Sequence, residues 1–226
     1  MVYASDGARE AGYCDHVLNR GNARSEVFHK PGDYKAFLQT ISESSVRLPM
    51  RLLAYCLMPN HFHLVVRPFG NGDLSRWMQW LMTTHVQRYR KHHDHSGHVW
   101  QGRFKGFLIQ DDDLLIRVVR YVERNPLRAG LAAWAEDWPW SSLGASRAAL
   151  ENAPQIAAEE ILRRGDWAEF VNAPMTEAEA SAIQLSIRRD RPYGSESWTQ
   201  STAAHLGLES SLRSRGAQPC SNRNAS

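Results

Sequence analysis

The chain has 226 residues, 42% of them hydrophobic and 23% charged, with a formal net charge of +3. This suits one medium-sized globular domain, or a domain of about 150 residues carrying a smaller appendage. No apolar run approaches the roughly 18 residues that span a bilayer, and the first dozen residues lack a charged start followed by an apolar stretch, so a cytoplasmic protein without membrane contact is expected. Cys14, Cys56 and Cys220 are too scattered for a disulfide framework or a zinc knuckle.

Cys14 to Arg20 alternates loosely, with His16 and Leu18 on one face, and reads as a first strand ending at Gly21-Asn22. Pro31-Gly-Asp33 opens a helix with Asp33 as its N-cap and Phe37, Leu38 and Ile41 as its apolar stripe. Leu52 to Leu57 and His61 to Val66 are apolar runs separated by Met58-Pro-Asn60, the pattern of two strands with a tight connection. Alternation puts His61 and His63 on one face of the second strand and Phe62 on the other. Asp73 caps a second helix over Leu74 to Lys91, whose Leu74, Trp77, Met78, Leu81, His85 and Val86 have core spacing. His92 to His98 is read as a polar loop enriched in histidine, not as a metal site. Gly102 to Ile109 is a further strand. Asp111-Asp-Asp113 starts a third helix that Pro126 stops near Asn125.

This alternation describes an α+β sandwich, with helices on one side of an antiparallel sheet. Trp134, Trp138, Trp140 and Leu143 form an expected aromatic lid ending the first domain, residues 1–145. Residues 146–215 change to short amphipathic helices, among them one opened by the capping box Thr176-Glu-Ala-Glu179 and one over Ser195 to Leu206. This helical C-terminal extension reads as a helix-turn-helix or as an appendage packed on the first domain. The tail, 216–226, is expected to be disordered.

Two imidazoles on same-face strand positions can clasp one divalent ion. Tyr121 and Asn125, at i and i+4, share a helical face. If that face turns toward His61 and His63, the site combines two imidazoles, an amide oxygen and a phenol, a donor set suited to Mg2+ or Mn2+. Tyr121 would then attack a DNA phosphodiester. Tyr89 is a rival nucleophile, but no Asn or Gln follows it one turn later. Arg88, Arg90, Lys91, Arg103 and Lys105, interleaved with Trp100 and followed by Arg120, Arg124 and Arg128, are expected to hold phosphates and stack bases.

Met58-Pro-Asn-His-Phe-His63, Trp100-Gln-Gly-Arg-Phe-Lys105 and Tyr121-Val-Glu-Arg-Asn-Pro126 together resemble the REP-associated tyrosine transposases. These are a branch of the single-tyrosine transposases in the HUH endonuclease superfamily. His16 to Asn22 looks like the family's first strand and Trp138 to Ser142 like the end of its domain. The resemblance covers roughly residues 11 to 145 and implies a ferredoxin-like catalytic fold. It also implies His61 and His63 as the metal pair, Tyr121 as the catalytic tyrosine, and Asn125 at the third ligand position, where insertion-sequence relatives carry Gln. The implied activity is metal-dependent nicking and strand transfer on single-stranded DNA flanked by imperfect palindromic hairpins, through a 5′-phosphotyrosine, by a monomer or homodimer. Two rival readings are a catalytically inactive hairpin or single-strand DNA-binding protein that retains the fold, and a metal-dependent hydrolase of a small phosphoester.

Overall fold

The structure, a computed structural model, describes residues 11–213 apart from 95, 149, 151–152, 162 and 164. The tail expected to be disordered and His95 of the polar loop lie outside the described residues. Strands β1 (Cys14–Arg20), β2 (Met50–Met58), β3 (His61–Pro68) and β4 (Lys105–Ile109) form one antiparallel sheet in the order β2-β3-β1-β4. Helix α1 (Pro31–Arg47) joins β1 to β2, and α2 (Asp73–His93) joins β3 to β4. This is the expected α+β, ferredoxin-like arrangement.

The strand period of two sorts side chains into two cores. Val17, Phe62, Leu64 and Val66 pack against Phe37, Leu38 and Ile41 of α1 and against Leu74, Trp77 and Leu81 of α2. Cys14, Cys56, Val65, Phe107 and Ile109 point the other way. They are covered by Leu115, Val118, Val119 and Val122 of α3 (Asp113–Glu123), and by Val171 of α6 (Trp167–Asn172) and Ile183 of α7 (Glu177–Arg189). Helices therefore lie on both faces of the sheet, where the sequence suggested one. β2 carries the explanation: Leu52-Leu-Ala-Tyr-Cys-Leu57 is continuously apolar instead of alternating, as a strand buried on both sides must be.

Helix boundaries differ from expectation where capping chemistry had alternatives. Asp33 is the third residue of α1, not its N-cap, and its carboxylate accepts from the backbone N–H of His29 (2.9 Å) and Lys30 (3.1 Å). Asp73 is likewise the first residue of α2 and accepts from Gly70 N–H at 2.8 Å. Pro126 does not end the helical path. Arg124 keeps helical angles (φ −82°, ψ −8°), and Pro126 lies in the first turn of α4 (Asn125–Arg128), where its missing N–H costs nothing. The capping box at Thr176 and Glu179 forms as expected.

The lid is a strap along β2. Leu57 N–H donates to Trp140 O (2.8 Å), Trp138 Nε1–H to Leu57 O (2.8 Å) and Tyr55 N–H to Ser142 Oγ (3.1 Å). Trp140 stacks on Tyr34 at 4.8 Å, whereas Trp134 stays 57% exposed. A Cβ at Gly144 would collide with the Trp138 carbonyl, so the strap turns back into α5 (Ser142–Ala148) only through glycine. Along β4, Gln110 N–H donates to Tyr193 O (2.9 Å) and Tyr193 N–H to Leu108 O (2.8 Å). Ala203 of α8 (Glu196–His205) packs with Leu108, Leu206 and Leu208, so α7 and α8 enter different clusters of the same body. Among the described residues, no helix is long and apolar enough to cross a membrane.

Candidate active site

His61 and His63 share the face of β3 that α3 covers, with ring centroids 5.0 Å apart. Cross-strand register sets Arg20 of β1 opposite His61 and Leu18 opposite His63. The Nδ1 of His61 lies 2.6 Å from Asn60 Oδ1, and the Nδ1 of His63 lies 2.9 Å from Nε2 of His16. Each ring is thus anchored through Nδ1, leaving Nε2 as the nitrogen it can offer. Burial lowers the pKa of His61 to about 4, with repulsion from Arg20 and Arg128 adding to the effect. Burial alone takes His16 to about 3. His63 falls well below its ordinary value, first through burial and then through His16 and His61. All three rings are therefore uncharged near neutral pH, with lone pairs able to receive a proton or a cation.

Tyr121 projects from α3 with its ring 6.1 Å from that of His63 and 6.5 Å from that of His16, edge-on to both. It is 3% exposed and lines a cleft of about 200 Å³ with Arg124, Arg128, Pro174 and Met175. Burial raises its phenol, and Arg128 and Arg20 pull it back toward the ionised form. The Arg128 guanidinium carbon sits 5.3 Å from the ring centroid. Asn125 is fully buried one turn on, as its spacing required, but both ends of its amide are engaged: Nδ2 donates to Tyr121 O and Oδ1 accepts from Arg128 Nη2, each at 2.9 Å. Among the described residues, no group of three or more His, Cys, Asp and Glu gathers in a metal-holding arrangement. The donors that fit a divalent ion are two neutral imidazoles anchored from behind, with coordination positions open to other ligands.

Several residues expected to contact DNA have partners within the fold. Trp100 is 5% exposed and packs on Phe62 and His85, so it turns little of its ring to solvent where it borders the cleft along α2. Arg120 donates to Ala173 O (2.7 Å) and Pro174 O (3.2 Å), and Arg124 to Val171 O (2.9 Å) and Asn172 O. One terminal nitrogen of each guanidinium is therefore engaged by the carbonyls at and just past the end of α6, where helix acceptors lack partners. Arg88 bridges to α1 through Ala36 O (3.3 Å) and Thr40 Oγ1 (3.0 Å). Arg90, Lys91, Arg103 and Lys105 are exposed. Arg90 and Arg103 line a cleft of about 960 Å³ along α2, together with Arg76, His98 and apolar side chains including Met82 and Phe104. The rival Tyr89 packs on the α2 side of the sheet, with its hydroxyl 2.9 Å from His29 Nε2, away from the imidazole pair.

Two buried groups were not singled out from local pattern, one beside the imidazole pair and one in the packing of the helix that carries Tyr121. His16 was placed on a strand face but not beside His63. Glu123 is fully buried and accepts from Ser142 Oγ (2.6 Å), Trp167 Nε1 (2.7 Å) and Arg163 Nη2 (3.0 Å). Burial raises its carboxyl pKa and Arg163 opposes the rise. A signal existed for it: Leu115, Val119 and Glu123 follow one another at i+4, which places the acid on the apolar stripe of α3.

A family model described as "Transposase IS200 like" matches residues 12–125, about half of the chain. The chain is 27% identical over 117 residues to a Haemophilus influenzae protein provisionally named a REP-associated tyrosine transposase, covering 47% of this chain and 66% of that protein, just short of two thirds. It is 25% identical over 128 residues to the REP-associated tyrosine transposase of Escherichia coli, covering 56% and 73% respectively. A solved structure described as a REP-associated tyrosine transposase bound to a REP hairpin superposes with a TM-score of 0.51 at 18% identity, over 75% of this chain and 95% of that one. That likeness is one of fold.

Proposed function

The chain belongs to the IS200-like transposase family, and on that premise we propose that it nicks and rejoins single-stranded DNA beside hairpins through a 5′-phosphotyrosine at Tyr121. The observation carrying this reading is the approach of the Tyr121 ring to 6.1 Å from His63, itself 5.0 Å from His61. The phenol oxygen attacks the scissile phosphorus while the P–O3′ bond breaks. The phenol proton passes to a base or to solvent, and the departing oxygen takes up a proton to become a free 3′ hydroxyl. Rejoining reverses the exchange: an incoming 3′ hydroxyl attacks the phosphotyrosine, the P–O bond to Tyr121 breaks and the phenol is restored.

Arg128 and Arg20 favour the phenolate against the cost of burial and present positive charge to phosphate oxygens. His61 and His63 would hold Mg2+ or Mn2+ through Nε2; such a cation, when bound, polarises a phosphate oxygen and offsets the charge that develops in an in-line displacement. In this reading Asn125 acts through Arg128, holding the guanidinium over the phenol, and is not the third ligand. Arg90, Lys91, Arg103 and Lys105 grip the DNA backbone. The solved relative described as bound to a REP hairpin supports a hairpin as the partner here.

The test is a labelled hairpin oligonucleotide incubated with Mn2+ and run under denaturing conditions. Wild type should form a covalent adduct; Tyr121→Phe should form none while binding the hairpin within about twofold of wild type. An adduct that survives the substitution overturns the assignment. The second reading, a hairpin-binding protein without catalysis, draws on the 3% exposure of Tyr121. It predicts salt-sensitive binding that needs no metal, and no adduct from wild type.

A further inference from the structure

We propose that His16 is a positioning residue that holds His63 ready for a cation, making the metal site a unit of three histidines in which only two act as ligands. The inference rests on the metal-site reading above. His16 pairs with Val65 across β1 and β3, two residues from the Leu18 and His63 pair, so the diagonal brings its ring to His63 on the same face. The two rings stack with centroids 5.0 Å apart and planes 12° apart, and Nε2 of His16 is 2.9 Å from Nδ1 of His63. Phe107 closes the other side of the His16 ring at 4.9 Å.

A neutral imidazole has one N–H and one lone pair. For His63 to present its Nε2 lone pair, its proton must sit on Nδ1, and the acceptor within reach there is Nε2 of His16. The opposite arrangement, with His16 donating, moves the His63 proton to Nε2 and closes that nitrogen to a cation. The other nitrogen of His16, Nδ1, is buried without a hydrogen-bond partner. The ring thus has one polar attachment, to His63, in a position where an apolar side chain would pack without desolvation cost. A partner of this kind fixes ring orientation and tautomer, and its removal typically costs roughly 10–100-fold in metal affinity.

The experiment is a Mn2+ titration of the full chain without DNA, followed by electron paramagnetic resonance, for wild type, His16→Leu and His16→Gln. Leu removes the acceptor and should weaken Mn2+ binding by roughly 10–100-fold. Gln restores an acceptor oxygen at similar reach and should recover most of that loss. A Leu variant that binds as wild type does, or a Gln variant no better than Leu, overturns the proposal. If the Leu variant fails to fold, long-range proton–nitrogen spectra of histidine-labelled wild type in Mg2+ decide instead. A His63 proton on Nδ1 supports the proposal, and one on Nε2 overturns it. Wild type that binds no Mn2+ brings down the metal-site reading itself, an outcome distinct from failure of His16 alone.

Discussion

Replacing Glu123 by alanine removes the acceptor that ties three remote segments to the helix bearing Tyr121. The carboxylate is fully buried and accepts from Ser142, Trp167 and Arg163 at 2.6, 2.7 and 3.0 Å. A buried donor left unpaired costs about 1–3 kcal/mol, and breaking a buried ion pair about 3–5 kcal/mol. These costs overlap. Arg163 keeps its bond to Leu53 O (3.1 Å) and is 24% exposed, and Ser142 can still donate to Tyr55 O at 3.3 Å. We therefore expect a loss of about 4 kcal/mol, a large share of the roughly 5–15 kcal/mol that holds a domain together. At about 2–4 °C per kcal/mol for a chain of this size, Tm should fall by roughly 8–16 °C. Urea unfolding followed by tryptophan fluorescence measures it directly, and Glu123→Gln, which keeps one acceptor, should fall between alanine and wild type. A loss below about 1 kcal/mol would refute the reasoning, because it would mean the three donors find other partners at no cost.

Histidines that burial lowers to about 4 (His61) and about 3 (His16), against 6.5 ordinarily, are protonated first in the unfolded chain. Stability should be complete above pH 6.5 and fall as pH drops from there toward those folded values; urea midpoints at pH 7, 6 and 5 that do not move would contradict it. Arg120→Ala and Arg124→Ala should leave hairpin affinity nearly unchanged but quicken proteolysis near Ala173, whereas Arg103→Ala and Lys105→Ala should each weaken binding and lower the salt-dependence slope by about 1. Arg128→Ala removes the charge that opposes burial at Tyr121. Adduct formation should slow at pH 7 and recover as pH rises; a rate lowered equally at every pH would show that the arginine acts otherwise.

What could be read in the sequence was what depends on local period. A spacing of two put His61 and His63 on one face, and a spacing of four put Asn125 beside Tyr121. The direction of the Asn125 amide was not legible, because it depends on Arg128 turning back three residues to take the oxygen. The basic residues misled for a related reason. Arg120 and Arg124 look like phosphate ligands until carbonyls about 50 positions later arrive to accept from them. Trp100 stands in a basic stretch yet belongs to the core under α2, and composition carries no sign of which way a ring turns. His16 needed the register between β1 and β3, a long-range property that alternation within one strand leaves open.

The straps along β2 and β4 bear on how copies of this chain can meet. A sheet grows sideways only where a border strand still has backbone groups to share. Here part of one border, at Tyr55 and Leu57, is taken up by the Trp138–Ser142 segment and part of the other, at Leu108 and Gln110, by Tyr193, both supplied from farther along the same chain. These contacts leave less of each border for a second copy to add to, and shortening the chain before Trp138 should open the backbone of Tyr55 and Leu57 to strand exchange.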